Sequence, residues 1–478
     1  MNGHLWTGDE LVAATSGRPL GQMPERIGGI SIDTRTLKSG DAFFAIQGET
    51  LDGHDFATAA MAAGAGVLVV AEHKLPSLGR LNVAKIVVPD VLKALELAGI
   101  AARARSKAKI IAVTGSAGKT STKEALRHAL SASGKVHASD KSFNNHWGVP
   151  LTLSRLPQDA DYAIFEIGMN HPGEIRPLVK MVEPHVAIVT LIAAAHLGFF
   201  KNLDEIAAAK AEIFEGVVPG GAALLNHDDQ RWKLLARFAK SAGVERVLGF
   251  GEHERSDFKL IRCEADGDGS TIVAKINGRN IEARIGAPGR HVVQNALAVL
   301  GAAELVGADV SKAAAALATL TPESGRGRRH ELAVPGGVLN LIDESYNANP
   351  ASMRAALDLL DAAPVHGSGR RIAVLGDMLE LGDHAARLHA GLAELIEARR
   401  IDLVLLAGPE MKVLADRLAG GTPAEYRVNV EELKPVLMDT VRAGDTVMIK
   451  SSKGIGFSKL VDALVAKFPA QAVNAKSA

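Results

Sequence analysis

Gly115, Gly118, Lys119 and Thr120 stand together in "TGSAGKTS" (114–121), and their types and order suit a phosphate chain. Backbone N–H groups of a glycine turn can approach an anion closely. A helix that starts there adds more N–H groups and the positive end of its dipole. Lys119 could reach terminal phosphates, and the Thr120 hydroxyl could bind Mg²⁺. The spacing is unusual, however. A nucleotide loop normally reads Gly, four residues, Gly-Lys-Ser/Thr; here the place five before Gly118 is Val113, and the glycine is Gly115. Three readings follow: a damaged nucleotide loop, a plain strand-to-helix turn with a stray lysine, or a phosphate site with its own chemistry. A switch or motor NTPase fits poorly, because the loop is short and no Asn-Lys-x-Asp for guanine is present.

Other groups that such a site needs lie downstream. Glu166 ends the apolar run of "DYAIFEIG" (161–168), at a strand end where α/β sheets place ligands. It is either a metal ligand or an ordinary strand-end carboxylate. His196, in "AAAHLGFF", is a candidate metal ligand or a structural histidine. Lys210, in "NLDEIAAAKAEIFEGV", lies on the apolar stripe Leu203, Ile206, Ile213, Phe214, Val217. Lysine is rarely buried without a partner, so it either snorkels from the stripe's edge or sends its end group into a site.

The elements that must hold these residues have an α/β pattern. "KIIAVTG" (109–115), "DYAIFEIG", "VAIVTLI" (186–192) and "AALLNHD" (222–228) read as buried strands between amphipathic helices, hence a parallel sheet covered on both faces. "KTSTKEALRHAL" is the helix that the phosphate loop opens. Residues 258–285 carry two hairpin signals, Gly267-Asp268-Gly269 and Asn277-Gly278, and read as an antiparallel patch on the same sheet. "TPESGRGRRH" marks a boundary near residue 322, after which "VLNLIDES", "RIAVLGD", "DLVLLAG" and "TVMIKSS" imply a second doubly wound unit. Before residue 88, "GGISIDTRTLKSGDAFFAI" reads as strands around a turn at Ser39-Gly40, and "HDFATAAMAAGAGVLVVAE" as helix, glycine stop and buried strand. The expected fold class is α/β in three domains, 1–88, 89–321 and 322–478.

Composition narrows the function. The 478 residues carry 54 Lys plus Arg against 54 Asp plus Glu, and no long basic tract argues for nucleic acid. One cysteine excludes an internal disulfide framework and suits a reducing cytoplasm. No run of about 18 apolar residues suggests a membrane span, and the first residues lack the basic start and apolar core of a signal peptide.

The loop, with "FNNHWGVPLTL" (143–153), "EIGMNHPGEI" (166–175), "AHLGFF", "AAAKAEIF" and "DESYNANP" (343–350), resembles the Mur ligases over nearly the whole chain. That family uses the short loop normally. "DESYNANP" and "GDMLELG" (376–382) resemble the branch that adds D-alanyl-D-alanine to UDP-N-acetylmuramoyl-tripeptide, and "SIDTRTLKSGDAFFAIQGETLDGHDF" (31–56) resembles its nucleotide-sugar domain. The resemblance implies a P-loop ATPase domain between that small α/β domain and a C-terminal Rossmann-like one. It implies a cytoplasmic, ATP-dependent ligase that acts through an acyl phosphate in peptidoglycan precursor synthesis, with no nucleic acid, membrane insertion or obligate protein partner. Gly115, Ser116, Ala117, Gly118, Lys119, Thr120 and Ser121 would hold ATP. Thr120 and Glu166 would bind one Mg²⁺; His196 and a carbamylated Lys210 would serve a second. Asn295 would contact adenine, and Asp343 or Glu344 the ribose; Arg326, with Arg328 as competitor, would reach the phosphates. Ser31, Thr34, Arg35, Gly48, Asp52 and His54 are candidates for the UDP part, with turn roles as the alternative for Gly48 and Asp52. Asn144, Asn145, Asn347, Asn349, Lys450 and Lys453 are candidates for the remaining substrate contacts. The sequence departs from the family pattern at Val292, Glu344, Ser451 and Lys453. Folylpolyglutamate synthetases share the loop but lack "DESYNANP". A non-catalytic NTP-binding scaffold would show no dependence on a dipeptide.

Overall fold

The computed structural model describes residues 4–195 and 197–470. His196 lies outside the described residues. Three sheets follow one another along the chain, with five, nine and six strands.

The first sheet runs Arg18–Leu20, Ala84–Val88, Val67–Ala71, Ala42–Phe44, Ile30–Ser31, parallel except for its first strand. Residues 30–44 form two short strands, but they pair in parallel and are not a hairpin. The connection crosses over instead of reversing, and Gly40 (φ +84°) donates to Gly64 O at 2.8 Å.

The central sheet runs Arg279–Ile285, Gly269–Ile276, Phe258–Asp266, Arg246–Gly251, Ala222–Asn226, Val186–Val189, Lys109–Thr114, Tyr162–Glu166, Val136–Ala138. Its first three strands form the antiparallel patch, and the rest are parallel. After Lys109–Thr114 the chain builds two strands on one side, then crosses to Val186–Val189 on the other. That reversal opens a crevice at the carboxyl ends of the strands. Loop 114–121, Glu166 and Thr190 all sit at this crevice.

The third sheet runs Arg328–Val334, Gly337–Glu344, Thr446–Lys450, Arg371–Gly376, Leu403–Ala407, Ala424–Arg427. Only the first pair is antiparallel. Its edge strand, Arg328–Val334, begins inside the stretch that the sequence marks as a boundary. Only Leu332 and Val334 on that strand are buried, so an arginine-rich edge strand has the composition of a linker.

Two features tie the first sheet to the second. Val91–Arg105 places Val91, Leu95 and Ala98 in an apolar cluster that includes Trp6 and Val67 on one side and Ala112 and Phe165 on the other. Arg155 Nε also donates to Ile30 O at 2.6 Å. Among the described residues no helix is long and apolar enough to cross a membrane.

Candidate active site

A cleft of about 1050 Å³ lies between the strand ends of the central sheet and the C-terminal sheet's domain. The loop forms its floor. Gly115 (φ +151°) and Gly118 (φ +84°) both occupy backbone conformations that favour glycine. A Cβ on Gly115 would meet Thr190 Oγ1 at 1.9 Å, and one on Gly118 would meet Asn295 Oδ1 at 3.0 Å. The loop is therefore pressed onto Thr190 and Asn295, and Thr190 Oγ1 donates to Ala117 O at 2.6 Å. Lys119 Nζ donates to Gly115 O at 2.7 Å, folding back over the loop it opens. Lys119 is half-buried, where an exposed side chain would be expected of a surface turn. Removal from water lowers its pKa, Glu166 opposes that shift, and Arg326 adds to it.

Oxygen atoms converge beside the lysine. Thr120 Oγ1 donates to Glu166 Oε2 at 2.8 Å and lies 3.0 Å from Ser142 Oγ. Asn144 Nδ2 donates to Glu166 Oε1 at 2.7 Å. Two carboxylate oxygens and two hydroxyls are the hard donors that Mg²⁺ takes. Among the described residues no group of three or more His, Cys, Asp or Glu could hold a metal ion. An ion here must fill its shell with phosphate oxygens and water, as Mg²⁺ does in nucleotide sites.

Lys210 is 1% exposed and has no hydrogen-bond or ion-pair partner among the described residues. Its helix, Leu203–Ala211, ends sooner than the apolar stripe, and Ile213 and Phe214 continue the stripe from a 3₁₀ turn, Glu212–Gly216. Burial, then the charge of Lys119, holds its ammonium well below the usual lysine range. Snorkelling is thereby replaced by full burial.

The opposite wall comes from the C-terminal domain. Arg326 lies over the Tyr346 ring at 4.1 Å and points Nη2 to Ser142 Oγ at 3.3 Å. Arg328 starts the edge strand, is exposed and does not line the cleft. Lys450 Nζ is buried against Glu344 Oε2 and Asn347 O, each at 3.0 Å. Lys453 Nζ stands 5.3 Å from the Tyr346 ring centre. Asn349 Oδ1 caps the helix Pro350–Ala362 by accepting from Ser352 N, while its Nδ2 donates across the cleft to Ser116 O at 3.3 Å.

Known proteins share this construction. Residues 26–105, 113–303 and 327–453 match, in turn, the models of the Mur ligase family catalytic domain, the Mur ligase middle domain and the Mur ligase glutamate ligase domain. The UDP-N-acetylmuramoyl-tripeptide–D-alanyl-D-alanine ligase of Rickettsia prowazekii is 34% identical over 439 residues, covering 91% of this chain and 94% of its own. The Escherichia coli protein of the same name is 34% identical over 437 residues, covering 91% and 93%. The chain belongs to the Mur ligase family. A crystal structure of MurF from Acinetobacter baumannii superposes on this Mur ligase with a TM-score of 0.83 at 30% identity, over 96% of this chain and 99% of that one.

Several residues that the family resemblance singled out have other work in this Mur ligase. Asp343 is buried, with both carboxylate oxygens held by protein donors. Glu344 lines the cleft instead. His54 is buried, its Nε2 accepts from Ala71 N at 3.0 Å and its Nδ1 lies 2.6 Å from Asp52 Oδ1. Asp52 also pairs with Lys74 at 2.8 Å; burial opposes its ionisation, but Lys74 and the His54 donors hold the carboxyl well below the usual range. Both residues are thus bonded inside the first domain, and for Asp52 this is the turn role given above as the alternative. Gly48 closes the adjacent turn by donating to Leu51 O at 2.8 Å. Ser31 is buried with its Oγ bonded to the Asp33 backbone, Thr34 is half-buried, and Arg35 is exposed and paired with Asp33 at 2.6 Å. None of these six lines the 1050 Å³ cleft. Asn145 Oδ1 accepts from Gly148 N at 3.0 Å and so serves the start of the helix Gly148–Ser154.

Sequence reasoning missed Ser142, Thr190 and Tyr346. Ser142 and Tyr346 sit within or beside quoted motifs, and that proximity is their only signal. Thr190 directly follows a strand end at the switch point, a position where a polar residue is informative.

Proposed function

We propose that this Mur ligase joins D-alanyl-D-alanine to UDP-N-acetylmuramoyl-tripeptide with conversion of ATP to ADP and phosphate, completing the UDP-muramoyl-pentapeptide precursor of peptidoglycan in the cytoplasm. The observation that carries this reading is the meeting, across one cleft, of Lys119, Thr120 and Glu166 with Arg326, Lys450 and Lys453. The relatives' names supply the substrates. Residues 1–88 would hold the UDP part, 89–321 ATP, and 322–478 the dipeptide.

The chemistry follows from the residues. A carboxylate does not react with an amine because its leaving group would be oxide. Attack of a carboxylate oxygen on the γ-phosphorus breaks the bond to ADP and makes an acyl phosphate. The dipeptide amine then attacks the acyl carbon, phosphate departs with its oxygen, and the amine proton is lost to water. Lys119 is a fixed cation where the transferred phosphoryl group develops charge. Arg326 faces the same point from the other wall. Thr120 and Glu166, oriented by Ser142 and Asn144, would hold Mg²⁺, which when bound neutralises the phosphate oxygens. Apposition of the two domains keeps water from the acyl phosphate.

Lys210 fits a carbamate. A buried ammonium with no partner is costly, and its neutral amine can attack CO₂ with loss of one proton. The product is an anion with two oxygen donors, which reverses the sign beside the charge of Lys119.

Phosphate release from ATP, with UDP-muramoyl-tripeptide and with or without D-Ala-D-Ala, tests the whole reading. Release coupled to a product whose mass equals both reactants less water is expected. Steady ATP turnover with neither substrate, and no product with both, would sink it.

A further inference from the structure

Asp343 is 1% exposed. Its Oδ2 accepts from Gly325 N at 2.6 Å and Ser324 Oγ at 3.2 Å; its Oδ1 accepts from Ser345 Oγ at 2.6 Å and Ser345 N at 3.2 Å. A carboxylate has about four acceptor sites, and all are taken. The backbone reinforces the same contact. Gly327 N donates to Asp343 O at 2.8 Å, and Tyr346 N donates to Gly325 O at 3.1 Å. Gly325 (φ +76°) lies so close that a Cβ there would come within 2.7 Å of Tyr346 Cβ. Residues 324–327 belong to the segment that joins the central to the C-terminal domain, yet they are bound onto the end of the strand Gly337–Glu344 and the turn after it. Arg326 lies inside that bound segment.

We propose that Asp343 is a positioning residue for Arg326. It clamps the linker so that Arg326 is carried as part of the C-terminal body, and it does not bind nucleotide itself. A free linker would let the guanidinium wander from Tyr346 and Ser142; a clamped one delivers it to the loop whenever the two domains meet. Burying an unpaired carboxylate would be costly, so the four donors and the aspartate are mutually required. The inference rests on the ligase reading above.

Asp343→Asn and Arg326→Ala, singly and together in the whole enzyme, test it. The measurements are kcat and KM with ATP and with 2′-deoxy-ATP, and the Kd for ADP. Asp343→Asn is expected to lower kcat at least about tenfold, to leave the ADP Kd within about threefold, and to leave the ATP to 2′-deoxy-ATP ratio unchanged. In the Arg326→Ala background it should have little further effect, since both act through one group. Should Asp343→Asn fail to fold, Ser345→Ala removes one donor alone and should lower kcat several-fold in the same pattern. Native kcat in the variant that folds, or ADP binding weakened about tenfold with loss of the deoxy discrimination, overturns the clamp. The wild-type control keeps the two readings apart: no ligated product from wild type sinks the ligase, whereas equal product from wild type and variant sinks the clamp.

Discussion

On the central side of the cleft, the glycine loop, Glu166 and Thr190 each hang from the end of a buried parallel strand. Loop 114–121 follows Lys109–Thr114, Glu166 ends Tyr162–Glu166, and Thr190 follows Val186–Val189. On the C-terminal side, Arg326 rides on a linker, and Tyr346, Asn347 and Asn349 on an irregular turn. The central face is organised without its partner, because the bonds of Thr120, Asn144 and Glu166 lie within one domain. The other face is correct only once it has been delivered; Asn349 to Ser116 and Arg326 to Ser142 are bonds that cross. The difference leads to an expectation: losing a bond that crosses the cleft should cost turnover more than it costs binding of the phosphate chain.

Removing the central cation tests that division hardest. Lys119→Ala is expected to lower the rate of phosphoryl transfer by about 10³-fold or more, because charge on the transferring group loses its fixed partner. Circular dichroism should show native folding. A folded variant with near-native turnover would refute the role of Lys119.

Lys210→Ala should come next, with loss of most activity and partial return on adding acetate or formate, which can place oxygens in the vacated space. No return, or full activity without the lysine, argues against the carbamate; a bare amine in high-resolution density of the Mg²⁺–nucleotide complex would do the same.

A smaller, split effect is expected at the crossing bond. Asn349→Ala loses a helix cap, on the order of 1 kcal/mol of stability, and also one of the contacts between the walls. Its ADP affinity should stay native while kcat falls. Weakened ADP binding with kcat intact would place Asn349 on the wrong side of the comparison.

The least effect is expected at the far end of the central sheet. His185 Nδ1 accepts from Ile110 N at 3.0 Å, and burial, with Lys109 and Arg103 nearby, lowers its pKa from 6.5 to about 4. The neutral ring is the folded form, so its contribution is present above pH 6.5 and is lost as pH falls towards 4. The urea midpoint of wild type should drop across that window, and His185→Asn, which keeps an acceptor, should flatten the drop. ADP affinity should not follow the variant. If it does, the two ends of the sheet are coupled and the central face is less self-contained than its bonds imply.

Much of the central face was legible in the sequence, and the reason is local. The strand, the glycine turn and the helix start are neighbours in the chain, so Gly115, Gly118 and Lys119 could be placed from their own surroundings. Lys210 was visible as a lysine on an apolar stripe. The partner of a side chain was not legible. Asp343 resembles a ribose ligand in type, but its donors are supplied by a linker eighteen residues earlier, and only the fold brings them in. His54 takes a backbone N–H from Ala71, on a strand that the sequence places but does not aim. Arg328–Val334 was lost to its composition, because an edge strand with few buried residues reads as solvent-facing chain.

Gly198 and Gly382 meet with no side chain between them: a Cβ on Gly198 would stand 3.0 Å from Gly382 N, and Gly198 N donates to Glu380 O at 2.9 Å. This is a mechanical stop of bare backbone. It sets where the approach of one domain to the other must end, to within the size of a methyl group. Water can replace the backbone bond from Gly198 to Glu380 when the two segments part. A side chain added at either glycine would have to push the segments away from each other, so this pair of bare positions fixes how closely the domains can meet.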